Sequence, residues 1–171
     1  MYKGIEREGV SIEHVGSTAV PGLGGKNILD VAVGIRAGTL NEFKKPIENL
    51  GYDFVETSGT KRRLFFVRDV SYKGKDIRMH LHLARLNGPD WIQHVAFRDY
   101  LVKHKDAVLE YARVKKRAVK AAKGKKKIYM KEKADFIREI TKRALESEAE
   151  SNIRKEKRRG SRLIGANVES A

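Results

Sequence analysis

The chain contains no cysteine and no long run of apolar residues among its 171 residues. The absence of cysteine excludes a disulfide framework, a thiolate metal site and a cysteine nucleophile. No segment approaches the roughly 20 apolar residues that a membrane span needs, and residues 1–7 lack an apolar signal core. Hydrophobic residues make up 40% of the chain, and its length suits one domain with one core. We therefore expect a globular, cytoplasmic protein.

Acidic residues are scarce in one segment that carries most of the net charge of +15. From Arg113 to Lys133 there are eleven basic residues and one acidic residue. Such a band could bind phosphate backbones, with affinity falling steeply as salt rises. No interleaved aromatic residues indicate a platform for base stacking. The pattern favours a solvated helix face, with RNA binding through residues 113–133 as the alternative.

Strand patterns fill the first half of the chain and helical patterns fill the second. Thr39 and Glu42 form a capping box for one early helix, and Gly51 supplies its stop signal. A polar turn at 71–75 joins two strands as a hairpin. The predicted elements are strands at 13–15, 27–35, 64–70 and 76–86, and helices at 39–51, 90–104, 106–122 and 127–155. This order predicts an α+β fold whose sheet is covered by a helical C-terminal half.

A short loop of small residues leads into a strand that carries one acid. Gly16, Ser17 and Thr18 follow the first strand, and their backbone N–H groups could approach an anion closely. Because side chains alternate along a strand, Asp30 lies on the face opposite the apolar residues Leu29, Val31, Val33 and Ile35. The pattern predicts a phosphate loop beside a carboxylate.

Two histidines share one face of a later strand. His80 and His82 alternate with apolar residues in the segment 76–85, so both point to the same side. Neutral imidazoles placed this way could both reach one metal ion or one phosphate. The alternative is a partly buried pair that hydrogen-bonds to neighbouring groups. Asp30 on a neighbouring strand makes the two interpretations about equal.

These segments resemble the GrpB family of nucleotidyltransferase-like proteins. The resemblance covers roughly residues 12–140 and includes Lys26 and Asp30. Its matching segments are Glu13-His-Val-Gly-Ser-Thr-Ala-Val-Pro-Gly-Leu23, Arg63-Leu-Phe-Phe66, His80-Leu-His-Leu83, Trp91, Phe97-Arg-Asp-Tyr-Leu101, Tyr111 and Tyr129-Met-Lys-Glu-Lys133.

The resemblance implies a nucleotidyltransferase-like mixed sheet. It also implies a domain over residues 1–157 that is short at its N-terminus, because a helix usually precedes the Glu13-His14 strand in the family. Glycines and scattered polar residues in the remaining segment predict a flexible basic and polar tail at 158–171.

For function, the resemblance implies a protein that binds an NTP or related phosphate ligand and transfers a nucleotidyl group to an unknown acceptor. Superfamily members usually carry a paired aspartate, but the positions two residues from Asp30 are Ile28 and Ala32. A divalent metal, Mg²⁺ or Mn²⁺ with Zn²⁺ as a further choice, would therefore depend on histidine. The catalytic and metal candidates are Asp30, His80 and His82, and the phosphate-binding candidates are Gly16, Ser17, Thr18, Lys26 and Arg63.

Four further residues are candidates for supporting roles at this site: Glu13, His14, Arg68 and Lys133. The missing second aspartate leaves another function open, a non-catalytic module that binds a nucleotide, a coenzyme-A-related ligand or RNA. We also leave open a homo-oligomer. We expect no membrane partner.

Overall fold

The computed structural model describes residues 9–25 and 27–168, and its centre is a five-stranded mixed sheet in the order β1-β2-β5-β4-β3. Only the β2–β5 pair is parallel, and the other three pairs are antiparallel. The strands are β1 (Val10–Val15), β2 (Ile28–Ile35), β3 (Asp53–Phe54), β4 (Arg63–Tyr72) and β5 (Lys75–Arg85). The hairpin predicted between β4 and β5 is confirmed, and its turn at Lys73 and Gly74 has positive φ angles of 50° and 72°.

The sheet buries its more apolar face beneath a short helical segment. Val31, Val33, Leu81 and Leu83 are fully buried there with Ile47 of α1 (Lys44–Asn49). A 3-10 turn at Leu40–Phe43 leads into α1, and the capping box at its start confirms the prediction from the sequence. This face forms the larger hydrophobic core.

Three helices cover the opposite face: α2 (Pro89–Lys103), α3 (Lys105–Ala122) and α4 (Lys126–Val168). Trp91 of α2 packs onto Val15, Ala32 and Ala84. Gly34 makes this possible, because a Cβ atom there would lie 2.7 Å from the Trp91 ring. The α+β architecture predicted from the sequence is therefore confirmed.

Some boundaries differ from the predictions. The first strand begins at Val10, and the pattern gave no sign of the two-residue β3. The last helix continues to Val168, well past its predicted end near 155, because Lys, Arg and Glu are strong helix formers. The division into a domain at 1–157 and a tail at 158–171 stays a prediction. Over the described residues, no helix is both long and apolar enough to cross a membrane.

Candidate functional site

The loop between β1 and β2 presses directly onto the acidic strand. Gly16 has a φ of 73°, in the region that favours glycine. A Cβ atom at Gly16 would lie only 2.4 Å from Oδ2 of Asp30. Further along, Val20 and Leu23 anchor the loop in a core shared with α2, α3 and α4. The 16–25 loop is thus held between the carboxylate and the helical half of the fold.

Asp30 is an ionised carboxylate held by two imidazoles. Its Oδ1 atom lies 3.1 Å from Nδ1 of His80 and 3.5 Å from Nε2 of His82. Burial would raise the pKa of the Asp30 carboxyl, but hydrogen bonds from both histidines outweigh it and hold that pKa well below its usual range. Phe65 covers the pair, with its ring centroid 5.1 Å and 5.0 Å from the two imidazoles. The structure therefore brings together the three predicted catalytic residues.

Arg63 determines which ring nitrogen of His82 carries the hydrogen. Its Nη1 atom lies 2.5 Å from Nδ1 of His82, and its Nη2 atom donates to the Ser58 carbonyl at 3.0 Å. A guanidinium can only donate, so Nδ1 of His82 accepts and the imidazole hydrogen sits on Nε2, facing Asp30. Burial lowers the pKa of His82 to about 4, so the ring is neutral at pH 7. Arg63 thus acts on His82, and these contacts occupy two of its three guanidinium nitrogens.

This arrangement does not fit a metal centre that uses His82. Because Nε2 carries the hydrogen and Nδ1 accepts from Arg63, neither nitrogen of His82 offers a free lone pair to a metal. Over the described part of the chain, no group of three His, Asp or Glu residues is arranged to hold a metal ion. The ligand set Asp30, His80 and His82 predicted from the sequence would therefore need a different protonation of His82.

Thr18 and His14 shape the loop through their own contacts. The Thr18 hydroxyl donates to the Ile28 carbonyl at 3.2 Å and lies 3.0 Å from Nε2 of His14. The hydroxyl of Ser17 lies beside Gly25, where a Cβ atom would be 3.1 Å from Oγ. The Thr18 hydroxyl therefore holds the loop closed, whereas the backbone of Gly16 and Ser17 remains at the Asp30 side.

Arg98 of α2 joins the helical half to the first strand. Its Nη1 atom donates to Oε2 of Glu13 at 2.6 Å and to the His14 carbonyl at 2.8 Å. Its Nε atom donates to Asp99 at 2.7 Å. Glu13 is thus bound in an ion pair next to the loop, and its role is to position β1 against α2.

Arg68 and His14 are the described candidates that lie on the other face of the sheet. Their register partners, Met79 and Val31, belong to the larger core, and Nη1 of Arg68 donates to the Leu50 carbonyl at 2.7 Å. Arg68 therefore braces the end of α1. Lys26, predicted to bind phosphate, lies outside the described residues.

Several residues near the site were not among those predicted. His94 lies 4.6 Å from the His82 ring, between centroids, and its Nδ1 atom donates to the Asp90 carbonyl at 2.6 Å. On the loop side, Nζ of Lys115 donates to the Gly24 carbonyl at 2.6 Å. Tyr111 and Tyr129 also lie there, with the predicted Lys133 4.6 Å from the Tyr129 ring centroid. In the sequence, both tyrosines are only matches to the family, and no pattern indicates Lys115.

Comparisons with known proteins give one consistent family. Residues 2–143 match the family model described as GrpB protein. UPF0157 protein PA4798 of Pseudomonas aeruginosa is 33% identical over 159 residues, covering 92% of this chain but 65% of that protein. Glutamate-rich protein GrpB of Alkalihalophilus pseudofirmus is 28% identical over 141 residues, with 75% of each chain covered. The crystal structure of conserved protein GrpB from Enterococcus faecalis matches with a TM-score of 0.68 and 28% identity, covering 85% of this chain and 86% of that one.

Proposed function

The chain belongs to the GrpB family, and from that premise we propose that it binds an NTP or a related phosphate-bearing ligand at the 16–25 loop. One observation carries the proposal: the contact between Gly16 and Asp30. Glycine at this position lets the loop backbone lie directly against a partly buried, ionised carboxylate, so main-chain groups and a charged side chain meet at one point. Exposed backbone N–H groups of a glycine-containing loop bind anions well. The ligand would therefore contact the loop on the side of Asp30.

Within this proposal, Asp30 recognises a donor group of the ligand. Its Oδ1 atom accepts hydrogen bonds from both imidazoles, whereas Oδ2 is the oxygen nearest Gly16. A carboxylate with a depressed pKa is a good hydrogen-bond acceptor and a poor general base at neutral pH. Asp30 therefore suits binding of a hydroxyl or amino group better than removal of its proton. This favours the binding role over catalysis.

Nucleotidyl transfer is the second candidate function. It is favoured by the position of Oδ2, which faces the loop where phosphates would lie. In that reaction an acceptor oxygen attacks the α-phosphorus, pyrophosphate leaves, and the acceptor proton passes to solvent or to a base. Asp30 would orient the attacking hydroxyl, with His80 and His82 holding the carboxylate in place. Nucleotidyl transfer would also require an acceptor molecule, an NTP with a particular base, and any metal ion that takes part.

A thermal-shift experiment tests binding first. ATP, GTP, CTP and UTP are each added at about 100 times Kd with Mg²⁺, with Mn²⁺ or with no metal. Binding to the native state alone would add about 2.7 kcal/mol of stability, which raises Tm by roughly 5–10 °C in a chain of this size. An NTP is excluded as the ligand if no nucleotide raises Tm in any of the three conditions.

Matched variants locate the effect at the site. Asp30→Asn should lose most of the ligand-dependent shift, because an amide has one acceptor oxygen where the carboxylate has two, and its N–H donors would face either the imidazoles or the donor group of the ligand. Asp53→Asn is the control: Asp53 is exposed on β3, at the edge of the sheet opposite β1. Release of pyrophosphate by the wild type, absent in Asp30→Asn, would support transfer. A nucleotide shift that is equal in both variants would contradict the assigned site.

A further inference from the structure

Two lysines of the basic segment 113–133 lie partly buried over the Tyr111 ring, and one of them, Lys115, contacts the 16–25 loop. We propose that Lys115 of α3 and Lys133 of α4 form a polyphosphate subsite, which binds a ligand carrying two or more linked phosphates against the loop. This inference rests on the proposed function. It names the class of ligand and the residues that select it.

Lys115 is already directed at the loop backbone. Its Nζ atom donates to the Gly24 carbonyl at 2.6 Å and lies 5.9 Å from the Tyr111 ring centroid. Burial lowers the pKa of Lys115, so the loss of water makes its charge more available to an anion. An ammonium has three N–H donors, and the contact with Gly24 uses one of them. Lys115 can therefore hold the loop and a phosphate at the same time.

Lys133 approaches the Tyr111 ring from the next helix. Its Nζ atom lies 4.6 Å from the centroid of Tyr129 and 5.9 Å from that of Tyr111. Since both ammonium groups lie 5.9 Å from the Tyr111 ring centroid, no more than about 12 Å separates them. Burial raises the pKa of the Tyr111 phenol, and the proximity of Tyr129 and Asp30 raises it further. Tyr111 thus links the two lysines to the Asp30 side of the site.

The charges at the site explain why these lysines are needed. Asp30 is ionised and would repel a phosphate placed on the loop. Arg63 is bonded to His82 and Ser58, and Arg98 is bonded to Glu13 and His14. Lys115 and Lys133 bring two positive charges to the Tyr111 ring, one of them in contact with the loop, and together they outweigh one carboxylate.

The geometry favours a small ligand over RNA. The Tyr111 ring is buried between Phe97 and Phe136, with centroids 5.3 Å and 5.1 Å away, so it offers no free face to a base. The two lysines approach one ring from two helices and do not form a surface track. A linked phosphate chain matches this convergence, because it presents several negative oxygens within a short span.

Isothermal titration calorimetry with the intact chain tests the subsite. The probes are inorganic phosphate, pyrophosphate and tripolyphosphate, together with the nucleotide that gives the largest thermal shift. We expect affinity to rise with phosphate number in the wild type. Lys115→Met and Lys133→Met should each weaken tripolyphosphate binding by about 10-fold to 100-fold, since each removes a charge-assisted contact. Lys115→Arg keeps the charge and should retain most of the affinity.

The same helices provide matched controls. Lys116 and Lys131 are exposed, and changing either to Met removes the same charge from the same helix. Both controls should bind tripolyphosphate within about twofold of the wild type. The inference is overturned if the site and control variants lose affinity equally, which would indicate a diffuse basic surface, or if neither set loses any. A wild type that binds neither tripolyphosphate nor any nucleotide would overturn the proposed function itself.

Discussion

Replacing Gly16 with alanine tests whether the loop backbone rests on Asp30. Gly16 has a φ of 73° and a ψ of −170°, a region open almost only to glycine, so a non-glycine residue there costs about 1–3 kcal/mol. The added Cβ atom would also lie 2.4 Å from Oδ2 and 2.9 Å from both Cβ and Cγ of Asp30, so one group must move. Overpacking of this kind costs about 1–3 kcal/mol. We expect a total loss of about 2–6 kcal/mol in the free energy of unfolding.

Urea denaturation followed by tryptophan fluorescence measures this loss. Trp91 is the chain's single tryptophan and is buried on the sheet, so its emission reports unfolding. Gly22→Ala is the matched control, because Gly22 has a φ of 78° and nothing lies within 4 Å of its added Cβ. That control should lose only the conformational part, about 1–2 kcal/mol.

A double-mutant cycle separates the two contributions. Asp30→Gly removes all three atoms that the new methyl group would meet. In that background Gly16→Ala should cost only the conformational part, about 1–3 kcal/mol, giving a coupling energy of about 1–3 kcal/mol. If Gly16→Ala costs the same in both backgrounds, or no more than Gly22→Ala, the contact between loop and carboxylate does not exist as described.

Three further predictions concern stability. The pKa of His82 falls from 6.5 to about 4 on folding, so stability is complete above about pH 6.5 and declines by about 3 kcal/mol as the pH falls towards 4, because the unfolded chain binds the proton more readily. Urea titrations at several pH values should show this decline, and a profile identical to that of His82→Asn would contradict it. Arg98→Met removes the donor that Glu13 and the His14 carbonyl share, and it should cost about 1–3 kcal/mol of unfolding free energy; a loss below about 0.5 kcal/mol would argue against that clamp. Gly34→Ala places a methyl group 2.7 Å from the Trp91 ring, so it should shift Trp91 emission and cost about 1–3 kcal/mol, and unchanged emission and stability would refute the packing.

The alternation of side chains along strands accounts for most of what the sequence predicted correctly. It placed Asp30 opposite the apolar face of β2 and put His80 and His82 on one side of β5. The structure pairs Asp30 with His80 and Ala32 with His82 across the parallel strands. The same rule, applied to β4, would have separated Arg63 from Arg68, because residues five apart on a strand lie on opposite faces.

Other features depended on contacts between distant segments. No local pattern shows that Arg63 would donate to His82, a contact that changes the role of both residues. Lys115 looked like one of many charges on a helix, and only the packing of α3 against the loop brings it to Gly24. Residue types thus predicted the elements and their faces, whereas the partners of long charged side chains depended on the tertiary structure.

The parallel pairing of β2 with β5 has a consequence for how the site forms. Asp30 and His80 are 50 residues apart, and the intervening chain contributes α1, β3 and β4 before β5 can dock. Closing such a segment is entropically costly and is a slow step in folding. A chain halted before this docking would have neither His80 nor His82 beside the carboxylate. Recovery of nucleotide binding during refolding would therefore report the arrival of β5 rather than the formation of the first hairpin.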